Sequence, residues 1–173
     1  FVFDQNGRHQ ETRDALTGAL RLSFAYDSKG LLSGLTDGDG NVTTLQHDAA
    51  GHLTAVSGPY WHQTTFTTDS NGYLATIADP AGQSVSATYT AGGLMQSFTN
   101  ARGFSGTMGH DAFGRVSADA DQSGGSVSFN RVHGAGHITL DESTALGRTT
   151  TYRTDYFTNG SYVRTNTFPD GTS

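Results

Sequence analysis

The chain has 173 residues, of which 34% are hydrophobic and 15% charged, with 23 glycines, three prolines, no cysteine and a formal net charge of −6. A single lysine (Lys29) and two glutamates (Glu11, Glu142) leave few residues to populate exposed helix faces, which excludes a helical bundle and favours turn-rich β-structure. The missing cysteines exclude a disulfide framework and a thiol nucleophile. The acidic balance without a basic cluster speaks against nucleic acid, and no apolar run has the length of a membrane-spanning helix.

In chain order, the first signal is Phe3-Asp4-Gln5-Asn6-Gly7-Arg8. The same pattern returns as Tyr26-Asp27-Ser28-Lys29-Gly30-Leu31-Leu32, two residues later than an even spacing would place it. It continues at His47-Asp48-Ala49-Ala50-Gly51-His52-Leu53, Thr68-Asp69-Ser70-Asn71-Gly72-Tyr73-Leu74, Tyr89-Thr90-Ala91-Gly92-Gly93-Leu94-Met95 and His110-Asp111-Ala112-Phe113-Gly114-Arg115-Val116. From Gly30 through Gly51, Gly72, Gly93 and Gly114 the interval is 21 residues each time. Between these lies a second series of turn signals: Asp37 to Gly40, Asp79 to Gly82, Asn100 to Gly103 and Asp121 to Gly124, with Gly58-Pro59-Tyr60-Trp61 in the equivalent slot. Asp or Asn opening a type I turn caps it with its own side chain, and Gly is favoured in the fourth place. The chain therefore reverses every ten or eleven residues, leaving strands of about six or seven residues and about 16 strands in all.

Alternate columns of these strands differ in character. One set holds Thr43, Thr64, Val85, Gly106 and Val127, then Leu45, Phe66, Ala87, Met108 and Phe129, then His47, Thr68, Tyr89, His110 and Arg131. The intervening columns, Thr44, Thr65, Ser86, Thr107 and Ser128 among them, are almost wholly polar. This alternation predicts an antiparallel sheet with one mixed-apolar and one wet face. After each repeat glycine, Leu32, Leu53, Leu74, Met95 and Val116 are followed three residues later by Leu35, Val56, Ile77, Phe98 and Asp119. A spacing of three breaks strict alternation and predicts a β-bulge. Beyond Arg131 the phase is lost, so residues 1–131 read as about six repeats and 132–173 as a degenerate β continuation.

The Tyr-Asp-x-x-Gly-x-Leu motif at this interval, followed by Asp-x-x-Gly, resembles the YD repeat of the RHS (rearrangement hotspot) family. The resemblance implies an all-β antiparallel meander curled into a β-spiral or open shell. It implies a wall that encloses a toxin or other cargo polypeptide, as in bacterial polymorphic toxins, while the related teneurins use such shells in cell adhesion. The family's core-end Asp-Pro-x-Gly-Leu segment is echoed by Asp79-Pro80-Ala81-Gly82, which lacks the following Leu and occupies an ordinary turn slot. The chain is read as part of a longer polypeptide, exported to the exterior or surface of a bacterium by a signal outside this stretch.

The functional candidates have bland competitors. Tyr26, Asp27, Gly30, Asp37, Gly40, His47, Asp48, Gly51, Asp69, Gly72, Asp79, Gly82, Tyr89, Gly93, Asn100, Gly103, His110, Asp111, Gly114, Asp121 and Gly124 are all repeat-turn positions, where structure accounts for them. Asp37-Gly38-Asp39-Gly40-Asn41 opens like a calcium loop but has Val42 at the sixth place and Asp48 at the twelfth. His133 and His137, four apart, are spaced to share one side of a strand or helix as zinc ligands. Tyr60 and Trp61 form an aromatic turn suited to a sugar or a partner. No catalytic residue, metal or cofactor is expected.

Three functions follow for comparison. The first is a non-catalytic shell segment whose partners are the rest of its shell and an enclosed cargo, with neither nucleic-acid binding nor membrane insertion. The second is an adhesive or filament-forming module that self-associates through sheet edges. The third is a parallel β-helix enzyme, against which two tight reversals per repeat argue.

Overall fold

The structure is a computed structural model that describes residues 1–173, the side chain of Trp61 excepted. Its 16 strands are hydrogen-bonded in chain order. Residues 1–86 and 87–173 form two compact units.

The first unit contains β1 (Val2–Phe3), β2 (His9–Arg13), β3 (Leu20–Tyr26), β4 (Leu32–Asp37), β5 (Val42–His47), β6 (Leu53–Ser57), β7 (Gln63–Thr68) and β8 (Leu74–Ala78), and it ends within β9 (Ser84–Tyr89). All of its pairings are antiparallel, which removes the parallel β-helix. The second unit contains β10 (Met95–Thr99), β11 (Ser105–His110), β12 (Val116–Ala120), β13 (Ser126–Gly134), β14 (His137–Thr144), β15 (Thr149–Tyr156) and β16 (Tyr162–Thr167). These too pair antiparallel.

Within the repeats the strands from β4 to β12 have five or six residues rather than six or seven. The reason lies in the turns, which close over five residues and not four. Asp27 N–H donates to Leu31 O at 2.8 Å and Gly30 N–H to Asp27 O at 2.9 Å. This is a type I turn completed by a left-handed residue, the usual three-residue hairpin loop. Gly30 takes that place with φ +81°, a conformation closed to most side chains. Three connections between strands depart from this pattern: residues 14–19, where the turn is one residue longer, residues 58–62, and the two-residue link Ala135-Gly136.

The bulges stand where the spacing of three places them. Ala25 pairs with Gly34 but Tyr26 with Leu32, so Ser33 is extra; Thr54, Ala75 and Ser117 are its counterparts in later repeats. Each bulge brings two residues three apart to one face: Leu32 opposes Tyr26 and Leu35 opposes Phe24.

Among the described residues there is no conventional core. Ala55, at 4% exposure, is the one buried hydrophobic residue among those described. Cohesion comes from ladder hydrogen bonds and from lateral contact between neighbours on one face.

Candidate functional site: two faces and two rims

The face opposite the hydroxyl columns is built from cross-strand pairs such as Phe24 with Leu35, Leu45 with Val56 and Phe66 with Ile77. In β5 and β7 the members of this face, Thr43, Leu45, His47, Thr64, Phe66 and Thr68, are half-buried, while Thr44, Gln46, Thr65 and Thr67 between them are exposed. In the second unit the apolar face is more mixed. Asp119 stands between Met108 and Val127, and Glu142 opposite Phe129.

The opposite face is a field of hydroxyls. Thr67 and Thr76 share a hydrogen bond of 2.6 Å, as do Thr88 and Ser97, and Ser143 and Thr149 meet at 2.8 Å. Such pairs join neighbouring strands without needing burial.

Turns alternate between two rims. On the rim of Asp27, Asp48, Asp69, Thr90 and Asp111 the turns of each unit interlock. The residue after a turn glycine reaches the glycine of the next turn at several places: Leu31 Cδ1 comes within 3.4 Å of where a β-carbon on Gly51 would stand, His52 Nε2 within 3.2 Å at Gly72, and Leu94 Cδ1 within 3.3 Å at Gly114. Lys29 adds a bond from Nζ to Ala49 O at 2.6 Å. On the rim of Asp37, Asp79, Asn100 and Asp121, Gly40, Gly82, Gly103 and Gly124 meet nothing within 4 Å.

The turn carboxylates commit their acceptors to their own loops. Asp69 Oδ1 accepts from Asn71 and Tyr73 N–H, and Asp79 Oδ1 from Ala81 and Gln83 N–H. Asp121 does the same with Ser123 and Gly125, as does the neutral Asn100 with Arg102 and Phe104. In the calcium-like stretch Asp37 Oδ1 accepts from Asp39 and Asn41 N–H, and its Oδ2 from Asn41 Nδ2. The Asn41 amide and N–H hold the Asp37 carboxyl below its usual value, and His52 does so for Asp48. Asp14, bonded to Arg21, Thr17 and Leu16, is held far below the carboxylate range. These shifts come from turn and strand bonds that leave the carboxylates ionised, the reverse of what a general acid needs.

The His133 and His137 pairing is overturned. A two-residue link separates them, His133 opposes Ile138 and His137 opposes Gly134. Adjacent rungs of a ladder point to opposite faces, so the two imidazoles do not converge, and the His137 ring covers Gly134 instead. Among the described residues no group of three or more His, Asp or Glu side chains is placed to hold a metal. His47 and His110 sit at the bulge rungs opposite Leu53 and Val116. Tyr26 Oη donates to His9 O at 2.9 Å, a tie between neighbouring strands that the motif alone does not show. Of the aromatic turn, Tyr60 is exposed, and the Trp61 side chain lies outside the described residues.

Comparison with known proteins bears on this geometry. The sequence profile described as teneurin YD-shell matches residues 1–169, including the stretch beyond Arg131 where the spacing fails. The chain belongs to the teneurin YD-shell family. A relative in this family, Teneurin-3 of Danio rerio, is 35% identical over 48 residues, which is 28% of the chain and 2% of the relative. Among solved structures, a crystal structure of TcdB2-TccC3 aligns with 87% of the chain and 9% of its own length, at a TM-score of 0.50 and 13% identity. That likeness concerns the fold. As a YD-shell member the chain is a structural shell segment, and no catalytic family is indicated.

Proposed function

We propose that the chain is a non-catalytic length of shell wall whose apolar face lines a cavity holding a cargo polypeptide, a toxin or another passenger, within an exported protein of a bacterium. The supporting observation lies within the first unit: Leu45, Phe66 and Ile77 share one face of a single sheet and are only half-buried there, while Thr44, Thr65 and Thr67 face the other way. A one-layer sheet with an apolar side requires something to cover that side, and a wall supplies the cover by closing around its contents. The work done is sequestration, in which residues of the wall need only fold, pair and exclude.

The absence of cysteine makes the orientation measurable. In the assembled shell, Thr44→Cys and Leu45→Cys are adjacent residues on opposite faces. A bulky, water-soluble maleimide is expected to label Thr44→Cys readily and Leu45→Cys only after denaturation. Equal labelling of both in the folded shell would refute an enclosed apolar face.

A further inference from the structure

The turn of residues 58–62 departs from the Asp-capped repeat turns on either side of it. Gly58 replaces the capping Asp or Asn, so no side chain of that kind accepts the amides within the loop. The left-handed residue is Tyr60 (φ 73°, ψ 20°), one place earlier than the glycine of the other turns. It is the one non-glycine with positive φ among the described residues, in a region disfavoured for L-residues. Tyr60 is 79% exposed, so packing does not offset the strain. Strain held without a packing return marks sites kept for use.

Tyr60 also walls a groove of about 400 Å³, a size within the range of small-ligand sites. Its floor is Val42, Thr44 and Ser57 on the hydroxyl face, with Asn41 and Pro59 at its sides. None of the lining residues is charged, although the chain carries a net −6. Gln63 Nε2 donates to Ser57 Oγ at 3.1 Å, leaving the Ser57 O–H to donate. Asn41 gives one amide N–H to Asp37 and keeps its amide oxygen as an acceptor. An aromatic face beside neutral hydroxyl and amide groups matches a ligand with one apolar C–H face and a rim of hydroxyls.

We infer that this groove binds a neutral pyranose of a glycan, with the Tyr60 ring against the sugar's C–H face and Asn41, Thr44 and Ser57 bonding its hydroxyls. A charged sugar or phosphate finds no countercharge in the lining, and an apolar peptide side chain would leave the Thr44 and Ser57 hydroxyls unpaired, at a cost in affinity. The inference goes beyond encapsulation and stands whether or not the apolar face encloses a cargo.

The test uses the whole 173-residue chain, isotopically labelled, titrated separately with lactose, maltose, cellobiose and N,N′-diacetylchitobiose to about 10 mM, the weak range of single-site affinity. Saturable shifts of the Asn41, Thr44 and Ser57 amides with at least one disaccharide are expected. Tyr60→Phe should keep that binding within about twofold, and Tyr60→Gly should weaken it at least about tenfold while the thermal midpoint stays level or rises, since glycine relieves the strain. Tyr60→Asn, which also accepts the left-handed region without a ring, should behave as Tyr60→Gly does. The inference is overturned if none of the four sugars shifts those amides, if the shifts lie elsewhere, or if binding survives in Tyr60→Gly and Tyr60→Asn.

Discussion

The imidazole of His52 lies over Gly72 in the next turn of the same rim, its Nε2 3.2 Å from where a β-carbon would be. Gly72 thus serves two demands, a left-handed backbone at φ +86° and a bare surface for its neighbour. Gly82, at φ +80° on the opposite rim, serves only the first. Gly82→Ala is expected to cost about 1–2 kcal/mol, the penalty of a left-handed L-residue, and Gly72→Ala more. In a double-mutant cycle with His52→Ala the excess at Gly72 should shrink while the loss at Gly82 is unchanged. Denaturant midpoints of the three single and two double variants measure this; equal losses at both glycines would remove the interlock as a source of stability.

The turn carboxylates make the fold sensitive to acid in a defined direction. Asp37 is held low by Asn41, Asp48 by His52 and Asp170 by Thr172. In each case the ionised form is favoured in the folded state, so the folded pKa lies below the unfolded value of about 3.9. The stabilisation is fully present above that value and is lost as pH falls through the lower, folded values. Thermal midpoints should therefore be level from neutral pH to about pH 5 and fall below about pH 4. Asn100 shows that a neutral amide makes the same two turn bonds, so Asp37→Asn should keep the neutral-pH midpoint nearly unchanged and make the acid limb shallower. A midpoint that rises on acidification would contradict this assignment.

The repeat was legible because each of its demands falls on a fixed residue type. A left-handed turn position admits little but glycine, and a loop whose amides need an acceptor admits Asp or Asn, so Gly30, Gly51 and Gly72 and their partners Asp27, Asp48 and Asp69 stand out at a constant interval. The bulge was legible from Leu32 and Leu35, because two hydrophobic residues three apart reach one face only if a residue is extra. Other features left no such mark. The covering of Gly72 by His52 depends on a column that holds Leu31, His52 and Leu94, residues with no shared chemistry. The four-residue spacing of His133 and His137 misled because the hairpin link falls between them and sets them on opposite faces. The Tyr60 backbone was hidden as well, since nothing in Gly58-Pro59-Tyr60-Trp61 announces that the left-handed residue is the tyrosine.

Bulges and turns should tolerate a change of length that a regular strand does not. Thr54 is the extra residue between the rungs of His47 with Leu53 and Gln46 with Ala55. Deleting it leaves Leu53 two residues from Val56, so both stay on the apolar face and the ladder runs on without a bulge, whereas deleting Thr65, which has a rung partner in each neighbouring strand, sends the residues on one side of the gap to the opposite face. The opposite rim already carries a longer turn at residues 14–19, closed by Asp14 N–H to Ala19 O at 2.8 Å. One alanine inserted between Gly38 and Asp39, and likewise deletion of Thr54, should therefore leave the far-ultraviolet spectrum and cooperative unfolding in place, while deletion of Thr65 should broaden or abolish the transition. Equal tolerance of all three changes would show that the alternation of faces does not set the register.

The two faces should also differ in what a truncation costs. Phe66 is half-buried beside its rung partner Ile77, and Thr67, the next residue, turns the other way to share a 2.6 Å hydrogen bond with Thr76. Phe66→Ala removes apolar area that is only partly withdrawn from water, so a loss of about 1–2 kcal/mol is expected in the chain by itself. Thr67→Ala removes one exposed hydroxyl bond and should cost less than about 1 kcal/mol. If the apolar face is covered in an assembled shell, the Phe66→Ala penalty should grow there while the Thr67→Ala penalty stays the same, because covering a face withdraws the remaining ring area from water and leaves the hydroxyl face as it was. Denaturation of both variants in the two settings tests this. A Phe66→Ala penalty that is identical alone and in the shell would mean that nothing packs against the apolar face.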